Sequence, residues 1–71
     1  MSACEKSLIA LTMAHALQCP YCINAYTQSC LDKGSSLTEM TEALHMACAI
    51  RGGAALIHGV QMRKQAQKIS L

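Results

Sequence analysis

The sequence predicts an all-α fold, a small antiparallel bundle of about four helices. Stretches rich in Ala, Leu and Met that contain no helix breaker alternate with short turn segments, and no run of alternating β-branched residues offers a strand. The 71 residues allow one domain, residues 1–71. The 52% apolar content with only 14% charged residues favours a packed globule over a disordered chain.

The first two helices are predicted on either side of a turn near residue 19. Residues 4–18 contain no breaker and form the first candidate helix. Pro20 is favoured at the first position of a helix, where its missing N–H costs nothing, so Cys19 is predicted at or next to the N-cap of a second helix that continues through residue 33. Gly34 is expected to end this helix.

The third and fourth helices are predicted on either side of Gly52 and Gly53. Ser36 and Glu39 fit a capping box, and the apolar positions that follow have the helical period up to about residue 51. The glycine pair is expected to break the chain, so that a fourth helix runs over about residues 54–68. The start of that helix is apolar nearly all round, which predicts that other helices or subunits enclose it.

Composition and charge indicate which partners to expect. Below about 70–80 residues a core rarely supplies more than a few kcal/mol, and this chain has no Phe or Trp, so we expect a homo-oligomer. Much of the net charge of +2 gathers near the end of the last predicted helix, where it complements the helix dipole, and this favours a solvated helix end over a nucleic-acid surface. The apolar stretch over residues 8–17 is too short to span a bilayer and no signal peptide is recognised, so we expect a cytoplasmic protein without membrane contact.

Cys19 and Cys22 form a CxxC motif at the predicted start of the second helix. Two thiols at this spacing can close a disulfide within one helical turn, and a helix N-terminus lowers a thiol pKa below the free value of about 8.5. Five cysteines without a secretory context fit reduced thiols with one catalytic pair. The absence of a strand pattern before the motif argues against a thioredoxin-like or glutaredoxin fold. The motif therefore predicts thiol redox chemistry in an all-α protein.

Four segments together resemble one protein superfamily. They are Leu8-Ile9-Ala10-Leu11, Cys19-Pro20-Tyr21-Cys22, Gly34 and Glu39-Met40-Thr41-Glu42-Ala43. Over residues 5–65 the chain resembles the alkylhydroperoxidase D-like, carboxymuconolactone decarboxylase superfamily, and the surroundings of the CxxC are similar to the arsenosugar biosynthesis-associated peroxidase-like branch. The resemblance implies an all-α subunit in trimers or hexamers, whose CxxC reduces hydroperoxides and is regenerated by an external thiol reductant. We expect no bound cofactor and no metal.

The resemblance also implies roles for single residues. Cys22 would be the peroxidatic cysteine and Cys19 the resolving one, whereas the helix dipole by itself favours Cys19, nearer the helix start, as the nucleophile. Peroxidatic members carry a glutamate twelve residues before the first cysteine and a histidine four residues after the second, which relay the thiol proton. Those positions are Ser7 and Tyr26 in this chain, so the relay departs from the family pattern.

Tyr26 and His15 are the candidates to replace the relay. Tyr26 lies one turn beyond Cys22, so its hydroxyl could bond a thiol or a peroxide, although a phenol with a pKa near 10 is a poor base. His15 would face the thiols if the first helix packs against the motif. The alternative for both residues is a packing role in the core.

Other histidines and cysteines are interpreted as ligands or as packing residues. His45 and His58 would converge if the glycine pair folds the last two helices antiparallel. Cys30 lies on the helical face of Cys22, which makes an array of three thiols conceivable. The simpler interpretation is that Cys30 and Cys48 are small buried hydrophobes.

Three other functions stay open. The vicinal thiols could bind a soft metal or metalloid ion, arsenite among them, although no second CxxC or HxxxH pair completes a zinc site. With the relay residues absent, the chain could also be a non-catalytic family member whose assembly is its function. The decarboxylase members do not need a CxxC, so its presence favours an alkylhydroperoxidase-type antioxidant enzyme.

Overall fold

Three helices make up the described part of the chain, residues 1–70. The computed structural model describes residues 1–70, which form α1 (Ala3–Ala16), α2 (Pro20–Asp32) and α3 (Leu37–Ser70). No strand occurs over residues 1–70, so the predicted all-α class is confirmed. The prediction of about four helices is wrong, because the two helices expected after residue 36 are one.

Capping boxes begin α1 and α3. At α1, the Ser2 N–H donates to Glu5 Oε1 at 2.8 Å and the Glu5 N–H donates to Ser2 Oγ at 3.0 Å. At α3, the Ser36 N–H donates to Glu39 Oε1 at 2.9 Å and the Glu39 N–H donates to Ser36 Oγ at 3.1 Å. Each box satisfies two backbone donors within one turn. The Ser36–Glu39 box is confirmed, whereas the Ser2–Glu5 box is not among the predictions.

α1 and α2 end in the same kind of hydrogen-bonded turn. After α1, the Cys19 N–H donates to the Ala14 carbonyl and the Gln18 N–H donates to the His15 carbonyl, both at 3.1 Å. These two bonds define a Schellman motif. Gln18 occupies its left-handed position with φ +54°, where Gly34 stands after α2 with φ +88° and ends that helix as predicted. A left-handed residue with a Cβ costs about 1–2 kcal/mol, so the turn before Cys19 is strained.

α3 continues through Gly52 and Gly53 without a break. Each glycine lowers helix stability by about 1 kcal/mol relative to alanine, but a glycine ends a helix only where it takes a left-handed conformation. Neither does so here. His45 and His58 consequently lie on one helix, about 20 Å apart at 1.5 Å per residue. The expectation that these two histidines converge is wrong.

α1 lies at the centre of the packing and contacts both other helices. The core cluster consists of Leu11, Cys30 and Met40, one residue from each helix, with Leu8 packed against it. Leu11 is 1% exposed, and burying a side chain of this size contributes about 1.5–3 kcal/mol. The other buried residues are small, which lets the helices approach closely. They are Ser7, Ala14, Ser35, Ala43 and Ala47.

The second half of α3 projects away from this core. Ala47 is the last buried residue, and every residue from 48 to 69 is exposed except the half-buried Gly59. The molecule therefore measures 58 Å in one direction and only 20 and 19 Å in the others. Large apolar side chains lie on this projecting segment, among them Leu56 at 79% and Ile57 at 70% exposure. The segment, residues 48–69, presents an apolar surface that the chain itself does not cover.

By length and composition alone, α3 also meets the criteria for a membrane span over Leu37–Ile69, because it contains an 18-residue window with a mean hydropathy of 1.2. This is weak evidence, because core helices of soluble proteins meet the same criteria. Only 11% of its most apolar window is buried, in agreement with the exposed surface of the projecting segment.

Replacement of Gly52 and Gly53 by alanine should stabilise the protein by up to about 1 kcal/mol per site. An added Cβ at either position meets no atom within 4 Å, and helical backbone favours alanine over glycine. Urea unfolding followed by circular dichroism measures the change. Gly34→Ala is the matched control, because at φ +88° the same substitution should destabilise. Destabilisation by Gly52→Ala or Gly53→Ala would contradict the continuous helix.

Candidate functional site

The CxxC pair lies in the turn that joins α1 to α2. Cys19 is the N-cap of α2 and Pro20 its first residue, as predicted. The Cys19 backbone is extended, with φ −101° and ψ 99°, and its sulfur accepts the Cys22 N–H at 3.3 Å. Since the Cys19 N–H also closes the last turn of α1, hydrogen bonds hold this residue from both helices.

The two thiols of the pair differ in acidity. Hydrogen bonds from the Cys22 thiol and the Cys22 backbone N–H lower the pKa of Cys19. The hydrogen bond between the thiols, together with desolvation, raises the pKa of Cys22. The unpaired N–H groups and the dipole at the start of α2 favour an anion at the same place. Cys19 is therefore the thiol that ionises first, and Cys22 keeps its proton beside it.

An open cavity of about 270 Å³ borders both thiols. It lies between the second half of α1 and the first turns of α2. The lining residues are Ala10, Met13, Ala14, Leu17, Cys19, Cys22 and Tyr26. Apart from the thiols and the tyrosine hydroxyl, these side chains are apolar. A small organic group can therefore lie against the sulfurs without displacing a polar partner.

Tyr26, which stands where the family pattern has a histidine, belongs to this thiol cavity. Its side chain is 40% exposed and lies on the surface rather than in the core cluster. The ring also borders a second cavity, of about 210 Å³, farther along α1 and α2. Tyr26 thus lies where the two cavities meet, within reach of a molecule bound at the thiols.

Ser7, at the position of the family glutamate, lines the second cavity and not the thiol cavity. It is buried, and its hydroxyl donates to the Ala3 carbonyl at 3.0 Å and lies 3.3 Å from Ser29 Oγ. Lys33 Nζ donates to Ser29 Oγ at 2.7 Å. The polar side chains that line this cavity are three with a hydroxyl, Ser7, Tyr26 and Ser29, and two lysines, Lys6 and Lys33. None of them is a carboxylate or an imidazole, the groups that accept a proton at neutral pH. The sequence analysis did not predict this second cavity. Its signal is the helical spacing of residues 22, 26, 29 and 33, which places these four residues on one face of α2.

His15 lies outside the thiol cavity. Its Nδ1 is 2.9 Å from the Leu11 carbonyl oxygen, so the ring bonds within α1, and the residue is half-buried. This geometry fits a packing role for His15 better than a role at the thiols.

The other three cysteines are separate from the CxxC pair. Cys30 is fully buried in the core, as predicted, and burial raises its pKa. Cys48 is exposed on α3, so the prediction that it is buried is wrong. Cys4 Sγ lies 3.0 Å from Ser35 Oγ, a contact between the two ends of the α1–α2 hairpin that the sequence pattern does not indicate. Over residues 1–70, no three His, Cys, Asp or Glu side chains are arranged to hold a metal ion.

Comparison with known proteins agrees with the resemblance drawn from the sequence. Residues 1–64 match the model of the carboxymuconolactone decarboxylase family. A Paracoccus denitrificans protein described as "Uncharacterized protein 4 in cox locus" is 38% identical over 53 residues. The match covers 75% of this chain and 48% of that relative, so the chain spans about half the length of the curated relative. No solved structure gives a significant match.

Alkylation by iodoacetamide should begin at lower pH for Cys19 than for Cys22. Only the thiolate reacts, and the pKa of Cys19 is lowered while that of Cys22 is raised. The rate at Cys19 should therefore rise at lower pH than the rate at Cys22. Pulse labelling over a pH series with peptide mapping resolves the two sites, with added N-acetylcysteine as the control for the reagent. Labelling of Cys22 at lower pH than Cys19 would contradict this order.

Proposed function

The chain belongs to the carboxymuconolactone decarboxylase family, and from that premise we propose that it is a thiol-dependent peroxidase of the alkylhydroperoxidase type. The observation that supports this most is a pair of thiols of unequal acidity that share one cavity at a helix start. The pair would reduce an organic hydroperoxide and form a Cys19–Cys22 disulfide. Among residues 1–70, no group of three His, Cys, Asp or Glu side chains is arranged to hold a metal ion, which favours redox chemistry of the pair over a metal site.

The first step is attack by the Cys19 thiolate on the distal oxygen of the hydroperoxide. The S–O bond forms as the O–O bond breaks, so that Cys19 becomes a sulfenic acid and the other oxygen leaves as an alkoxide. We assign the protonation of this alkoxide to Cys22, whose thiol borders the same cavity as Cys19 and retains its proton because its pKa is raised. The products are then an alcohol and a Cys22 thiolate.

The second step uses that new thiolate. Cys22 attacks the Cys19 sulfur and displaces hydroxide, which takes a proton from solvent and leaves as water, and a disulfide remains. An external dithiol then returns both cysteines to the thiol form by exchange and is itself oxidised to a disulfide. Because a reducing compartment supplies such dithiols, we place the protein in the cytoplasm.

This scheme exchanges the roles that the family resemblance implies for the two cysteines. A glutamate and a histidine would be needed to remove the proton of Cys22, and Ser7 and Tyr26 stand in their places. Neither a serine nor a tyrosine is a base at neutral pH. Cys19 needs no base, because its hydrogen bonds and the helix start already stabilise the anion. Tyr26, on the cavity wall, would donate a hydrogen bond to the bound peroxide.

Single serine variants test the order of attack. After one equivalent of hydroperoxide, Cys22→Ser should accumulate a sulfenic acid at Cys19, which dimedone labels, because the second step is blocked. Cys19→Ser should slow peroxide consumption by roughly two orders of magnitude or more, because the nucleophile is gone. Mass spectrometry of the labelled peptides and a peroxide assay measure the two effects, and Cys48→Ser, on the exposed part of α3, is the control.

The outcomes distinguish the roles of the two cysteines from the peroxidase function itself. Dimedone labelling of Cys22 in the Cys19→Ser variant, with rapid peroxide loss, would restore the family roles and leave the peroxidase function standing. A wild-type protein that consumes no hydroperoxide would overturn the function itself and favour a non-catalytic family member.

We also propose that the projecting segment, residues 48–69, assembles copies of the chain into a trimer or hexamer, as the family resemblance implies. Its exposed apolar side chains need cover from outside the chain. A bilayer is a poorer cover, because Arg51 stands in the middle of the apolar stretch over residues 43–62, where a charge costs about 2.5–3.5 kcal/mol, and Ala43 and Ala47 in that stretch are already buried within the chain. Matching apolar segments from other copies would bury this surface without burying charge.

Leu56→Lys should therefore disrupt the assembly. An ammonium group in the middle of the apolar segment would lose its hydration at a helix–helix interface, which costs several kcal/mol if it is unpaired. Size-exclusion chromatography with light scattering should give three or six times 7.6 kDa for the wild type and a smaller mass for the variant. Asn24→Lys adds the same charge at an exposed polar position on α2, outside the projecting segment, and serves as the control. A wild-type mass of 7.6 kDa would contradict the assembly.

A further inference from the structure

The thiol cavity and the second cavity are neighbours along the seam between α1 and α2, and Ala10 and Tyr26 line both. The two neighbouring cavities together are called the α1–α2 groove, with the CxxC pair at one end and Lys33 at the other. Along α2 its wall follows a single helical face, through Cys22, Tyr26, Ser29 and Lys33.

The two ends of the α1–α2 groove differ in chemistry. At the thiol end the side chains around the sulfurs are apolar. At the far end Lys6 and Lys33 both line the groove, one from each helix. Lys33 Nζ is oriented by its 2.7 Å hydrogen bond to Ser29 Oγ. An ammonium group has three N–H donors, so two donors of Lys33 stay available to a ligand or to water.

No carboxylate among residues 1–70 lines the α1–α2 groove. The acidic residues nearest to the two lysines in the chain make other contacts. Glu5 accepts the Ser2 N–H at 2.8 Å, and Asp32 accepts the Gln28 amide at 2.9 Å. The far end of the groove is therefore positively charged and favours an anion.

The distance between the two ends defines the ligand that fits. Lys33 Nζ lies at the level of Ser29, which it contacts. Ser29 lies seven residues beyond Cys22 on α2, which is about 10 Å at 1.5 Å per residue. A ligand that reaches both ends thus places an anionic group about 10 Å from the atom at the sulfurs, with an apolar middle beside Ala10 and Tyr26.

We propose that the α1–α2 groove selects amphipathic hydroperoxides that carry an acidic group, of which a hydroperoxide of a medium-chain carboxylic acid is the simplest case. The carboxylate binds Lys6 and Lys33, the alkyl chain lies along the groove, and the hydroperoxide meets Cys19. The substrate class rests on the proposed function, whereas the binding site does not. Solvent-exposed charge pairs are weak, so the selectivity is a matter of several-fold.

Protection of Cys19 from iodoacetamide tests the binding site without any turnover. Decanoate, an unreactive acid of comparable extended length, should slow the alkylation of Cys19 several-fold. Methyl decanoate has the same chain without the charge and should protect markedly less. The double variant Lys6→Gln/Lys33→Gln should lose the difference between the two probes. Lys64→Gln, on the projecting segment, should keep it.

Both lysines of the double variant are exposed, so the variant should fold, and circular dichroism verifies this. Each rate is compared with the rate of the same variant without probe, which removes any change in the reactivity of Cys19 itself. Equal protection by the two probes in the wild type would overturn the inference. So would an unchanged preference for decanoate in the double variant.

Turnover then separates the substrate class from the function. In an active enzyme, kcat/KM for a hydroperoxy decanoic acid should exceed that for its methyl ester by about three- to ten-fold, and the advantage should shrink at high salt. The double lysine variant should lower kcat/KM for the acid to the value for the ester and leave the ester unchanged. Equal kcat/KM for acid and ester in the active wild type overturns the inference alone. Turnover of neither substrate overturns the proposed function, while the decanoate protection still decides the binding site.

Discussion

Cys19 is hydrogen-bonded to both α1 and α2, and the site depends on these two attachments. Its backbone N–H closes the final turn of α1, and its sulfur caps the first turn of α2. The chain can reverse direction within so few residues only because Gln18 accepts a left-handed conformation that costs about 1–2 kcal/mol. The Cys22 N–H that caps α2 through the Cys19 sulfur also lowers the pKa of Cys19, so the start of α2 and the acidity of the thiol depend on one hydrogen bond. The thiol cavity lies beside this cap.

The helix ends were the part of the fold that could be predicted from the sequence, because hydrogen bonds within a few residues determine them. The Ser36–Glu39 capping box, Pro20 after the Cys19 cap and Gly34 at the end of α2 each satisfy backbone groups within a few residues, so short patterns carry the information. The prediction of a helix break at Gly52 and Gly53 is wrong because a glycine pair is compatible either with a turn or with a weakened helix. Which of the two forms depends on the backbone φ, and glycine allows both signs of φ.

Contacts between helices were harder to predict than the helices. The position of the CxxC pair and the greater acidity of Cys19 follow from its place at a helix start, which is a local property. The contact between the Ser7 and Ser29 hydroxyls joins α1 to α2. It depends on the rotation of each helix about its own axis relative to the other, which the helical period of one segment does not determine. The prediction for Cys48 failed for the same reason. The apolar period of α3 predicts that Cys48 is buried, but no other helix of the described chain packs against α3 at that position, so Cys48 is exposed.

Disulfide mapping after a single equivalent of organic hydroperoxide tests the central claim, that the CxxC pair is a working redox couple, most directly. We predict that the reduced protein, with five cysteines, loses two thiols and that both belong to one peptide in which Cys19 and Cys22 are linked. Rapid loss without any added metal or cofactor would agree with the account. Retention of all five thiols, or oxidation confined to the exposed Cys48, would contradict it.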